Sequence, residues 1–126
     1  MVTIPMRGFL IPLLLAVAMT ASSPAWAHAH LKKADPPVGS DVSPGPAQLR
    51  LVFSEGVELA FSKVEIAMGD GMAIAPAAVA LAPDDPTTII VSLKAKLDPG
   101  RYTVTWHVVS VDTHKTQGHY DFTVKP

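Results

Sequence analysis

From Gln48 onward the chain is built from short runs in which apolar and polar residues alternate. Leu49, Leu51 and Phe53 alternate with Gln48, Arg50 and Val52, and Val64 and Ile66 alternate with Lys63 and Glu65. A period of two is the mark of a strand with one buried face. Thr88 to Val91 is β-branched throughout, which favours the same conformation. Tyr102, Val104, Trp106 and Val108 share one face of a fourth run, and Gly118, Tyr120, Phe122 and Val124 share one face of a fifth. Between the runs stand Asp35-Pro36-Pro37-Val38-Gly39, Ser43-Pro44-Gly45-Pro46, Asp84-Asp85-Pro86 and Asp98-Pro99-Gly100. These are turn sequences, because proline fixes φ and glycine admits positive φ. The alanine-rich stretch Met72 to Ala82 is bounded and broken by Pro76 and Pro83, so it predicts no helix. The expected class is all-β, an antiparallel β-sandwich.

The first 27 residues read differently. Arg7 supplies a positive charge, Phe9 to Met19 is uncharged and mostly apolar, and Ala25 and Ala27 are the small residues expected before a cleavage point. An apolar run of about 11 residues is short of the roughly 20 that a membrane-spanning helix needs. A secretory signal over residues 1–27 is therefore expected, leaving one soluble, exported domain of residues 28–126. A domain of that length can bury an adequate core without covalent staples, which suits a chain with no cysteine. The formal net charge is −1, and −2 without Arg7. Mild acidity without a basic run argues against a nucleic-acid partner.

Candidate chemistry follows from cleavage after Ala27. His28 would become the first residue and offer a metal two nitrogens, its α-amine and its imidazole. All five histidines lie in two groups, His28 and His30 at the new N-terminus and His107, His114 and His119 near the C-terminus. If Asp112-Thr113-His114 is extended, Asp112 and His114 point the same way and add a carboxylate and an imidazole. The resulting set of three nitrogens and one oxygen suits Cu(II) in a tetragonal arrangement, whereas zinc more often takes tetrahedral sets with more imidazole or thiolate. A competing arrangement uses His30, third in the mature chain: amine, two backbone amides and the His30 imidazole could wrap Cu(II) in a square plane. The first set is preferred because amides tied into a strand or turn oppose the second.

His107 and His119 would face each other if the last two strands form a hairpin centred on Thr113. A solvated cross-strand pair is preferred there to a second metal site, with Asp121 read as pointing away from His119. Trp106, Tyr102, Tyr120 and Phe122 are read as core, and Met68 and Met72 as gap-fillers or loop residues. No nucleophile turn or phosphate-binding glycine loop occurs.

Several segments together resemble the CopC family of periplasmic copper-binding proteins. They are His28-Ala29-His30-Leu31, Pro36-Pro37-x-Gly39, Leu51-Val52-Phe53-Ser54-Glu55, Leu97-x-Pro99-Gly100-x-Tyr102-x-Val104-x-Trp106, Val109-Ser110-x-Asp112-x-His114 and Gly118-x-Tyr120-x-Phe122-x-Val124. The resemblance implies a Greek-key β-sandwich or barrel of about seven strands, cupredoxin-like or immunoglobulin-like. It implies one Cu(II) per mature chain, held by the amine and imidazole of His28, the Asp112 carboxylate and the His114 imidazole. It further implies a monomeric, non-enzymatic copper carrier or buffer in the periplasm, active in copper resistance or uptake, with a CopD-type inner-membrane transporter as recipient. Some members also bind Cu(I) in a methionine-rich loop with a histidine; the mature chain has only Met68 and Met72, with no histidine near them, so a single Cu(II) site is expected. The alternative is a copper-dependent oxidase or monooxygenase, since an N-terminal histidine with a second histidine also resembles the histidine brace of lytic polysaccharide monooxygenases.

Overall fold

Burial follows the alternation. Leu49, Leu51, Phe53, Val64, Ile66, Ile89, Val91, Tyr102, Val104, Trp106, Val108, Tyr120, Phe122 and Val124 form one apolar core. The structure is a computed structural model that describes residues 29–126 together with Thr3 and Gly8. The expected leader, apart from those two residues, and His28 lie outside the described residues. Among the described residues, no helix is long and apolar enough to cross a membrane.

The strands are β1 (Leu31–Asp35), β2 (Asp41–Val42), β3 (Gln48–Phe53), β4 (Lys63–Met68), β5 (Ala73–Ile74), β6 (Pro76–Ala82), β7 (Asp85–Leu93), β8 (Gly100–Val109) and β9 (Lys115–Val124). Seven have five residues or more, and β2 and β5 are two-residue edge pieces. One sheet runs β1-β3-β7-β6 and the other β2-β9-β8-β4-β5. All pairings are antiparallel except that of β2 with β9. The chain crosses between the sheets repeatedly, so each sheet is assembled from strands distant in sequence. The result is an antiparallel β-sandwich.

One aromatic contact ties the sheets together, and another braces neighbouring strands within a single sheet. Phe53 of one sheet meets Trp106 of the other edge-to-face, with ring centroids 5.2 Å apart, and Tyr102 stacks on Phe122 at 5.5 Å. Pairs of this kind add about 0.5–1.5 kcal/mol beyond the area they bury. Gly118 sits beneath the Trp106 ring, where a Cβ would come within 2.5 Å of Cζ2. Its place among the inward residues of β9 is thus an accommodation of tryptophan across the ladder.

One segment forms no helix, as expected, but is strand without a strand pattern of its own, and another departs from expectation. The alanine-rich stretch is strand, β5 and β6, although alanine is a poor strand former. β5 pairs with β4, Ile74 opposite Ile66, and β6 is held by the ladder to β7, with Val79 opposite Val91 and Leu81 opposite Ile89. Pro76 is tolerated because it opens β6, a sheet edge. Of Asp84-Asp85-Pro86, only Asp84 lies in the turn, at φ 57°, while Asp85 and Pro86 begin β7. The Asp85 carboxylate there accepts from the Thr87 and Thr88 hydroxyls at 2.6 and 2.7 Å.

The β8–β9 hairpin also differs in register. His107 pairs with Gln117 and Thr105 with His119, so the hairpin is centred on Asp112 rather than Thr113, and the two histidines sit on a diagonal. Asp121 shares the face of His119, because residues two apart on a strand point the same way. Its carboxylate accepts from Thr103 Oγ1 at 2.7 Å and from Arg101 at 2.6 Å. The Thr103 hydroxyl first, then Arg101, hold the Asp121 carboxyl below the usual carboxylate range. A lowered carboxyl contributes stability above its ordinary pKa, and that stability is lost as pH falls through the lowered value. Urea unfolding of Asp121→Asn should therefore lose less stability than the parent between about pH 5 and about pH 2; equal losses would show that these bonds stabilise nothing.

Candidate metal centre

The segment joining β8 to β9, residues 110–114, is a turn and not the extended run that the spacing suggested. Ser110 N–H donates to the His114 carbonyl at 2.9 Å, and Thr113 N–H donates back to the Ser110 carbonyl at 2.8 Å. Thr113 sits at φ 73°, the left-handed conformation needed to reverse the chain in so few residues. Asp112 and His114 still converge, but through the curl of the turn rather than the pleat of a strand. The turn is anchored from below, where Val111 N–H donates to the Gly56 carbonyl at 2.9 Å and Ser110 bridges Val57.

At its tip His114 Nδ1 lies 3.1 Å from Asp112 Oδ2. The other carboxylate oxygen, Oδ1, accepts from the hydroxyl of Ser110, a fully buried residue. That hydroxyl chiefly, with the His114 imidazole adding to it, holds the Asp112 carboxyl below the usual carboxylate range. The side chains of both Asp112 and His114 reach solvent. An ionised carboxylate and an imidazole stand at contact distance, open to water on one side, and both are groups able to coordinate a cation. Among the described residues, no group of three or more His, Asp or Glu side chains converges on one point. His28, the expected source of the remaining donors, lies outside those residues.

The segment after His28 is anchored at both Ala29 and His30. Ala29 is fully buried, and its carbonyl accepts from Thr116 Oγ1 at 2.6 Å. Thr116 is on β9, two residues beyond His114. His30 is exposed as a side chain but held as a backbone: its N–H donates to Ser54 Oγ at 3.0 Å and its carbonyl accepts from Ser54 N–H at 2.9 Å. These bonds extend the β1–β3 ladder past Leu31, which pairs with Phe53. The peptide thus leaves one sheet at Leu31 and touches the other at Thr116, at the end of the sandwich that carries the 110–114 turn.

The roles of Ser54, Ser110 and Thr116 were not legible in the sequence. Each is a hydroxyl whose partner is distant or in a turn, and only the Ser110-x-Asp112 spacing hinted at one of them. His107 and His119 flank a shallow surface depression with Thr105, Gln117 and Gly118. Tyr102, Trp106, Tyr120 and Phe122 are core residues, Met68 is half-buried at the end of β4, and Met72 is exposed in the loop that follows.

Comparison with known proteins places these features in context. The CopC domain matches residues 31–125. Protein YobA of Escherichia coli strain K12 is 46% identical over 100 residues, covering 79% of this chain and 81% of that protein. Copper resistance protein C of Pseudomonas syringae pv. tomato is 37% identical over 117 residues, covering 89% of this chain and 92% of that protein. The crystal structure of CopC from Methylosinus trichosporium OB3b superposes with a TM-score of 0.72 at 31% identity, over 79% of this chain and 95% of that one.

Proposed function

The chain belongs to the CopC domain family, and from that premise we propose that it is an exported Cu(II) carrier or buffer, active in copper resistance or uptake. One ion is held by the amine and imidazole of His28, the Asp112 carboxylate and the His114 imidazole. The observation that carries this reading is the Asp112–His114 pair standing at the same end of the sandwich as buried Ala29. Residue 28 is bonded directly to Ala29, so the chain itself keeps the two halves of the site close. Removal of residues 1–27 in the periplasm supplies the free amine, and a CopD-type membrane transporter is the recipient.

The geometry favours storage over turnover. A carboxylate fixed by a buried hydroxyl is a preorganised ligand. It also occupies a coordination position that oxygen chemistry requires open. The test is a titration of the chain beginning at His28 with Cu(II) against a competing chelator, followed by oxygen consumption of the loaded protein with ascorbate. One tightly bound ion without sustained oxygen uptake is expected. Sustained turnover would favour the monooxygenase alternative, and absence of tight binding would leave a structural sandwich.

A further inference from the structure

We propose that Ser54 and Thr116 are positioning residues that seat the N-terminal peptide, delivering residue 28 to the 110–114 turn and keeping copper from the His30 chelate. The proposal rests on the copper reading above. Its basis is the unlike treatment of two histidines that compete for one ion.

Square-planar binding at His30 requires the backbone nitrogens of Ala29 and His30 as ligands. Each must give its amide proton to solvent and turn toward the metal. The His30 N–H instead points at Ser54 Oγ, 3.0 Å away, and the His30 carbonyl is held by Ser54 N–H. Turning the His30 nitrogen toward an ion would break the first of these bonds. It would also withdraw the Ala29 side chain, which is fully buried, and release the Ala29 carbonyl from Thr116 Oγ1. Ligands contributed from residue 28 require no such disruption of the bonds of Ala29 and His30.

The two hydroxyls therefore act at different points. Ser54 blocks the wrong ligand by occupying its amide, and Thr116 sets the distance of the peptide from His114. This is specificity by making the competing arrangement costly, the usual complement to optimising the wanted one.

Variants of the chain beginning at His28 test the seat, each loaded with one equivalent of Cu(II) at a single neutral pH and compared by electron paramagnetic resonance, visible absorption and competition titration. Ser54→Ala should show a second component with the stronger ligand field of deprotonated amides, its visible band moved to shorter wavelength. Ser54→Thr, which retains the hydroxyl, should keep the parent spectrum. Thr116→Val should lose about tenfold in affinity, the lower end of what residues supporting a metal ligand cost. His30→Ala changes an exposed side chain and should leave the parent spectrum intact; a changed spectrum overturns the proposal even if the hydroxyl variants fold poorly.

The double variant Ser54→Ala with His30→Ala should lose the second component, which mere loosening of the fold would not explain. Parent spectra and affinity in Ser54→Ala and Thr116→Val overturn the seat if His114→Ala still abolishes tight binding. If His114→Ala binds as the parent does, it is the copper-site assignment itself that fails.

Discussion

Replacing His114 by alanine in the chain beginning at His28 should lower Cu(II) affinity by more than about a hundredfold, about 2.8 kcal/mol or more. The reasoning starts from the neighbours of ligands. Residues that only orient a metal-bound side chain typically account for 10- to 100-fold in affinity, so an imidazole that contacts the ion directly should exceed that range. The variant should fold normally. The His114 side chain is half-exposed, and the bonds that shape the turn use its carbonyl, which accepts from Ser110 N–H and survives the change. Equal thermal midpoints for the metal-free parent and variant would confirm that the lost affinity is coordination and not unfolding. Asp112→Asn is the matching probe of the carboxylate. It keeps an acceptor for Ser110 but removes the charge, so a smaller loss than in His114→Ala would assign the carboxylate mainly an electrostatic part. Unchanged competition titrations in both variants would sink the site.

Why His114 could be singled out from sequence, while its true setting could not, follows from the kind of signal each carries. The core strands are legible because alternation is local: Leu49, Leu51 and Phe53 announce a buried face without reference to any partner. β6 carries no such announcement. Its alanines are strand only because β7 offers hydrogen bonds along one side, a tertiary cause that overrides propensity. The same holds at the site. Asp112 and His114 are recognisable by type and spacing, yet their convergence comes from a turn with Thr113 at positive φ, a conformation that threonine does not advertise. Centring the hairpin one residue too late was enough to set His107 opposite His119 when they are diagonal. The hydroxyls of Ser54 and Thr116 were beyond reach altogether, since each bonds a backbone group far away in sequence, 87 positions in the case of Thr116 and Ala29.

Extending the processed chain by a single residue ahead of His28 should cost at least as much affinity as losing His114. The extension converts the α-amine into an amide nitrogen. That removes one donor and opens the chelate in which amine and imidazole of one residue close on one ion. It leaves the described part of the site in place: the Asp112–His114 pair, the Ser110 hydroxyl and the bonds of Ala29 and His30 belong to residues that the extension does not alter. Metal-free thermal midpoints should therefore coincide while competition titrations diverge. The pH dependence separates the two proteins further. An α-amine ordinarily titrates at about 7.7–8.0, so in the processed chain a proton competes with copper for that nitrogen across the neutral range. Affinity should rise with pH there, with proton release on binding. The extended chain has no amine at that position and should show a flatter profile through pH of about 7 to 9. Equal affinities and equal slopes would remove His28 from the site and with it the need for cleavage after Ala27. A steep slope in the processed protein alone would make processing the step that creates the copper site.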